Sequence, residues 1–97
     1  MLDLSAEHLS IVLNILRERV PDAPVFAFGS RVTGTAKKVS DLDTALEGNA
    51  PISSEQLALL MEDLVDSDLP IRVDMMDMHT TSSALRDLIA ARRVMLA

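Results

Sequence analysis

The sequence contains no cysteine, no tryptophan and no tyrosine. Without cysteine there can be no disulfide, no thiolate metal site and no cysteine nucleophile. Without tryptophan or tyrosine, neither ring is available for a cofactor to stack on. Positive charge is scarce as well: nine Lys and Arg stand against fifteen Asp and Glu, a net charge of −6. A nucleic-acid surface needs basic contacts to phosphates, so this balance counts against direct DNA or RNA binding. No apolar run approaches the ~20 residues that span a bilayer. The first residues carry Asp3 and no basic group ahead of an apolar run, which is not the pattern of a signal peptide. No membrane partner is expected, and the cytoplasm is the expected compartment.

What is present is a globular composition. The 97 residues are 48% apolar and 25% charged, enough for one domain over 1–97 with a thin core. Helix and strand patterns alternate, with no repeat and no linker. Residues 5–20 place Leu9, Val12, Leu13, Leu16 and Val20 at helical spacing behind Ser5 as N-cap. Pro21 and Pro24 end that helix. Val25–Phe28 reads as a short apolar strand stopping at Gly29, and residues 30–40 as a polar, basic short helix or turn. Asp41–Leu46 alternates as a half-buried strand. Ser53 and Gln56 form a capping-box pattern ahead of a helix carrying Leu57, Leu60, Met61, Leu64 and Val65. Residues 71–76 read as a third strand. Thr80–Ser83 offer N-caps for a last helix with Leu85, Leu88 and Ile89 inward. The expected order is α-β-α-β-α-β-α. Strands two and three, separated by a helix, should be parallel; strands one and two should be antiparallel. The expected fold is therefore α+β, a three-stranded mixed sheet with helices packed on one face.

One segment carries chemistry. Asp41 and Asp43 lie two apart on an expected strand, so both carboxylates leave the same face. Two such charges repel, and a divalent cation relieves them. Carboxylate oxygens suit a hard ion, Mg²⁺ or Mn²⁺, rather than zinc. Asp74, between Val73 and Met75 on the third strand, should point to that same face. Three carboxylates on two adjacent strands can hold two ions about 3.5–4 Å apart, the clamp used in phosphoryl displacement. Gly29-Ser30 directly follows the first strand, where a glycine lets backbone approach a phosphate and Ser30 adds a hydroxyl. Arg31, Lys37 and Lys38 fall in the same loop and are candidate contacts to that phosphate; Lys37 and Lys38 are the chain's only lysines. Two Mg²⁺ would offset four of the six net negative charges.

Together Gly29, Ser30, Gly34, Ser40, Asp41 and Asp43, in the pattern G-S-x3-G-x5-S-D-x-D and followed by a strand bearing Asp74, resemble the DNA polymerase β-like nucleotidyltransferase superfamily. The short length resembles its minimal nucleotidyltransferase branch. From average residue usage, these six positions arise by chance on the order of once in 10⁵ such chains. The resemblance implies that Asp41 and Asp43 hold both metals, and that Asp74 ligates one and helps deprotonate the attacking hydroxyl. It also implies that Gly29 and Ser30, with Ser40 in the same motif, serve the nucleoside triphosphate, ATP as substrate. Members of the branch pair with a helical HEPN-domain protein in toxin–antitoxin modules, in which the nucleotidyltransferase neutralises a HEPN ribonuclease. Some transfer AMP to a tyrosine of the toxin. The expected function is that of such an antitoxin, forming a hetero-oligomer with its HEPN partner. Two other readings stand beside it: a binding-only antitoxin that covers the toxin, and a small-molecule nucleotidyltransferase acting with a separate subunit. One local departure is Thr44, a polar residue where the pattern expects the core.

Other residues read more plainly. Asp77 has the wrong strand parity for a ligand and reads as a strand-end acid. His8 reads as exposed, His79 as structural before functional, and Met75, Met76 and Met78 as core or partner surface. Glu62, Asp63, Asp66 and Asp68 crowd a helix C-terminus, against its dipole, which suggests solvation or a basic partner.

Overall fold

The structure, a computed structural model, describes residues 2–97. Helix α1 (Ala6–Arg19) starts where Ser5 Oγ accepts from the His8 N–H, and it buries Val12 and Leu16. Strand β1 is Val25–Phe28. One turn of helix, α2 (Ser30–Thr33), ends at Gly34 in the left-handed conformation. Strand β2 is Leu42–Leu46. Helix α3 (Ser54–Asp66) buries Leu60 and Leu64. Strand β3 (Val73–Asp77) runs into a single 3-10 turn at Met78–Thr80. Helix α4 (Ser83–Ala91) is capped by Ser82, and a two-residue strand, β4 (Val94–Met95), follows.

The capping box at α3 is half formed. Ser53 Oγ accepts from the Gln56 N–H, but the Gln56 amide donates to the Arg19 carbonyl at 3.1 Å. It thereby joins α3 to the end of α1 instead of closing on its own cap. Arg19 and Asp63 add a two-pronged ion pair between the same helices. Asp63 is thus engaged by a basic residue of its own chain rather than left to solvent.

The sheet has four strands in the order β3-β2-β1-β4, not the three expected. As expected, β1 and β2 are antiparallel and β2 and β3 parallel. The extra strand pairs antiparallel with β1, Phe26 opposite Met95 and Ala27 opposite Val94. Two residues are too few to show an alternation, so β4 leaves no periodic trace in the sequence.

The helices lie on both faces of the sheet, which corrects the one-face expectation. Val12, Leu16, Val25, Ala27, Leu42, Leu46, Leu60, Leu64 and Val73 form the main core, between α1 and α3 and one face of the sheet. A second cluster of Ala45, Met78 and Ile89, with Phe28, Met76 and Leu85 against it, lies on the other face under α4. Leu85 and Ile89 point inward, whereas Leu88, expected inward, is 71% exposed. Residues 85 and 89 are one turn apart and share the stripe that meets Ala45. Fully burying a side chain such as Ile89 contributes roughly 1.5–3 kcal/mol to docking this short helix. Beyond it, Arg93 stacks over the Phe26 ring at 3.8 Å and pairs with Glu47 at 3.1 Å. These contacts fasten the chain after α4 to the same face.

Candidate active site

The sheet edge where β1 ends and β2 and β3 begin gathers the acids. Asp43 is the second residue of β2 and Asp74 the second of β3, and the two are direct partners in the parallel ladder. Their phase places both side chains on the face opposite α1 and α3. Phe28, the last residue of β1, is the cross-strand partner of Asp43 on its other side. Asp41 sits just before β2 and is exposed. The expected strand Asp41–Leu46 thus begins one residue later, and Asp41 stands on the approach to the sheet rather than in it.

Asp43 feels the other two acids. Partial burial, and then the charges of Asp74 and Asp41, push the Asp43 carboxyl above its ordinary range. They do not gather round one point: among the described residues no three acidic or imidazole groups are arranged to hold a single ion. The convergence expected from strand parity is therefore incomplete: Asp41 stands outside the strand, and Asp74 Oδ1 is paired with Arg72 Nη2 at 3.1 Å. The donor chemistry still fits a hard divalent ion. It consists of carboxylate oxygens, partly desolvated and mutually repelling, the condition that such a cation relieves.

Gly29 joins this group through its backbone. Its φ of 76° and ψ of −154° lie in a region open essentially to glycine. A Cβ built there would collide with Asp43 Oδ2. The turn that follows β1 therefore lies directly against the central acid, with Ser30 next in sequence. Because α2 is only one turn long, it supplies no helix dipole of consequence. What the turn offers an anion is an unobstructed backbone and the Ser30 hydroxyl.

Arg31 and Ser40 are committed elsewhere. Arg31 is buried, and its guanidinium donates to the carbonyls of Ser40, Lys38 and Asp3 at 2.8–3.2 Å. It therefore does not present its charge to a phosphate as the sequence suggested. Ser40 Oγ accepts from the Lys37 N–H at 2.8 Å and closes the turn between them. Lys37 and Lys38 are exposed on that loop. Of the other residues weighed, Asp77 accepts from the Ile52 and His79 N–H groups, the work of a strand-end acid. His79 Nε2 lies 2.6 Å from the Gly48 carbonyl, at the far end of the sheet from Asp43. Since a carbonyl can only accept, the ring nitrogen is the donor.

Sequence reasoning missed three features: Arg72 beside Asp74, Phe28 beside Asp43, and α4 on the acid face. Two of them left a sign. Phe28 shares the phase of Phe26, away from Val25 and Ala27. Ala45 shares the phase of Asp43 yet is apolar, and an apolar position on that face calls for a cover.

Comparison with known proteins adds to this geometry. The family described as nucleotidyltransferase domain matches residues 9–94. A Haemophilus influenzae protein named as a probable protein adenylyltransferase, MntA, is 49% identical over 88 residues, covering 91% of this chain and 77% of that protein. Among solved structures, a chain from a toxin–antitoxin crystal structure with AMP-PNP superposes with a TM-score of 0.77 at 24% identity, over 92% of this chain and 72% of that one. A chain from the tri-AMPylated Shewanella oneidensis HEPN toxin in complex with its MNT antitoxin gives 0.71 at 21% identity, over 94% and 70%. Among the described residues, no helix is long and apolar enough to cross a membrane.

Proposed function

The chain belongs to the nucleotidyltransferase domain family, and from that premise we propose that it transfers AMP from ATP to a tyrosine hydroxyl of a HEPN toxin, as the antitoxin of the pair. The observation that carries this reading is the register of β2 and β3. It sets Asp43 and Asp74 side by side, with Asp41 ahead of them and the Gly29–Ser30 turn pressed against Asp43. A relative 49% identical is named a probable protein adenylyltransferase, and a chain of the same fold belongs to the structure of a tri-AMPylated HEPN toxin in complex with an MNT antitoxin. Both support the choice of nucleotide and partner.

In this reading Asp41, Asp43 and Asp74 hold Mg²⁺, two ions, with Mn²⁺ able to replace them. When bound, such ions neutralise the phosphate oxygens and the departing pyrophosphate. The rest is done by the chain itself. Gly29 and Ser30 seat the triphosphate, and the exposed Lys37 and Lys38 flank its approach. The tyrosine oxygen bonds to the α-phosphorus, the bond to the bridging oxygen breaks, and pyrophosphate leaves. The hydroxyl proton passes to the Asp74 carboxylate. In-line placement of this kind accounts for several kcal/mol of barrier. A folded partner provides it better than a free amino acid would.

The test incubates the HEPN partner with this protein or its Asp74→Asn variant, ATP and Mg²⁺. The partner is then weighed by mass spectrometry and its ribonuclease activity assayed. Addition of one or more AMP units, with silencing, by the wild type alone is the expected result. Silencing by both proteins without a mass gain would establish the binding-only antitoxin instead.

A further inference from the structure

Arg31 is 7% exposed, yet among the described residues no carboxylate lies within ion-pair distance of its guanidinium. Its partners are backbone carbonyls from two separate stretches of chain. Nε and Nη2 both donate to Ser40 O, at 3.0 and 2.8 Å. Nη2 also reaches Lys38 O at 3.2 Å and, more weakly, Lys37 O at 3.5 Å. Nη1 donates to Asp3 O at 2.9 Å, and the Asp3 N–H donates back to Arg31 O at 2.6 Å. A planar fork spreads five N–H groups over three nitrogens and reaches both stretches at once, whereas an ammonium has three donors on a single nitrogen.

The geometry points to a positioning role, an inference that rests on the transferase reading given above: Arg31 fixes the Ser40–Asp41 peptide, and with it the Asp41 carboxylate, relative to the Gly29–Ser30 turn. Ser40 O belongs to the same planar unit as the Asp41 N–H. Two guanidinium bonds to that oxygen therefore set the orientation in which the chain enters Asp41 and β2. At its other end Arg31 is covalently one residue beyond Ser30 and belongs to α2, whose N-cap Gly29 lies against Asp43. One side chain thus spans the loop from the triphosphate turn to the first acid. It touches neither substrate nor metal, and it acts through Asp41.

Arg31→Lys keeps the charge and loses the fork. The first measurement is Mn²⁺ binding by electron paramagnetic resonance, made well below the unfolding temperature of each protein. Apparent Mn²⁺ affinity should fall about 10–100-fold, the usual effect of removing a residue that orients a metal ligand. AMP transfer to the HEPN partner should fall in parallel. Far-UV circular dichroism should stay at the wild-type signal. A purely structural role would lower the unfolding temperature and leave the affinity of the folded protein unchanged, and that result overturns the proposal. A second measurement needs no variant. In the wild type the Arg31 Nε–H should exchange slowly and show through-hydrogen-bond coupling to the Ser40 carbonyl by NMR, and a freely exchanging Nε–H overturns the assignment. The two readings fail separately. Wild type that binds Mn²⁺ more tightly than Arg31→Lys but modifies no partner sinks the transferase reading and leaves the positioning role. Equal binding and equal transfer by both proteins sinks the positioning role alone.

Discussion

Gly29 and Asp43 meet across the β1–β2 pair so closely that a Cβ on the glycine would occupy the space of the carboxylate oxygen Oδ2. Gly29 serves the site by its lack of a side chain as well as by its conformation. Gly34 provides the control. It too has a positive φ, 86°, but a Cβ there would meet nothing within 4 Å. Both Gly29→Ala and Gly34→Ala should lower stability, by about 1–3 kcal/mol for the first and roughly 1–2 kcal/mol for the second. In a chain of this length each kcal/mol is worth about 4–8 °C of melting temperature. Only Gly29→Ala should also impair ATP binding, because only it displaces Asp43. Thermal denaturation and calorimetric titration of AMP-PNP separate the two effects. Equal nucleotide affinity in both variants would place the triphosphate away from Gly29.

The pH dependence should carry two opposite signs. The folded state raises the Asp43 carboxyl above its ordinary value near 3.8, through burial and then through Asp74 and Asp41. In that window the native state binds more protons than the unfolded state, so stability falls as pH rises through the raised value. At neutral pH the ionised Asp43 is a net cost, and Asp43→Asn should raise the melting temperature by a few °C. The gain should vanish in acid. Asp63 is shifted down by its hydrogen bond from Arg19. Its contribution is present above the ordinary carboxylate value and is lost as pH falls through the depressed one. Asp63→Asn should therefore melt lower than wild type at neutral pH and converge with it in acid. Melting curves at several pH values read both signs.

Adding Mg²⁺ or Mn²⁺ should reverse the ranking at Asp43. A ligand that binds only the native state raises the melting temperature by mass action. The wild type should gain and Asp43→Asn should not, so the variant is the more stable protein without metal and the less responsive with it. AMP transfer should fall on the order of 100-fold or more in Asp41→Asn and in Asp43→Asn, the scale on which fixed electrostatic stabilisation acts. Unchanged transfer in either would end the assignment of these acids.

Arg72 stands where a metal's charge would be useful, against Asp74 Oδ1. The pair is exposed, and such pairs are worth about 0–1 kcal/mol. Removing the competitor by Arg72→Ala should accordingly tighten Mn²⁺ binding, by no more than about fivefold. Weaker binding would mean that Arg72 supports the acid rather than competes for it.

The elements that sequence reasoning located are those whose signal is repeated along the chain. Ser5, Ser53 and Ser82 cap their helices through the N–H three residues on, and the apolar spacing behind each gives the helix its length. Asp43 and Asp74 followed from strand parity, which is local. What escaped depends on contacts between distant segments. β4 exists because Val94 and Met95 find the open edge of β1, and two residues carry no period. The side on which α4 packs is set by Ala45 receiving Ile89, a match that neither segment announces alone. Arg31 could be read as a phosphate ligand because its charge is visible in the sequence, whereas the carbonyls that surround it are not. Backbone acceptors have no letter of their own.

Thr44 looks like a misfit in the sequence, a hydroxyl at a core position, and its contacts give it a task. It is fully buried, and Oγ1 donates to the Asp74 carbonyl at 2.6 Å while lying 3.3 Å from Met75 Sδ. The bond ties β2 to β3 at the residue that carries the third acid. Two near-isosteric changes separate packing from this tie. Thr44→Ser keeps the hydroxyl and removes a methyl group, at about 0.8 kcal/mol for the lost burial. Thr44→Val keeps the volume and removes the hydrogen bond, at about 0.5–1.5 kcal/mol. Denaturant melts should therefore rank the two variants close together and below wild type. Transfer should distinguish them. Thr44→Ser keeps the extra bond to the Asp74 carbonyl and should work at near the wild-type rate, whereas Thr44→Val leaves Asp74 to the ladder alone and should lower AMP transfer several-fold at unchanged ATP affinity. If both variants lose transfer equally, the loss follows stability, and the hydroxyl of Thr44 is there for the sheet rather than for Asp74.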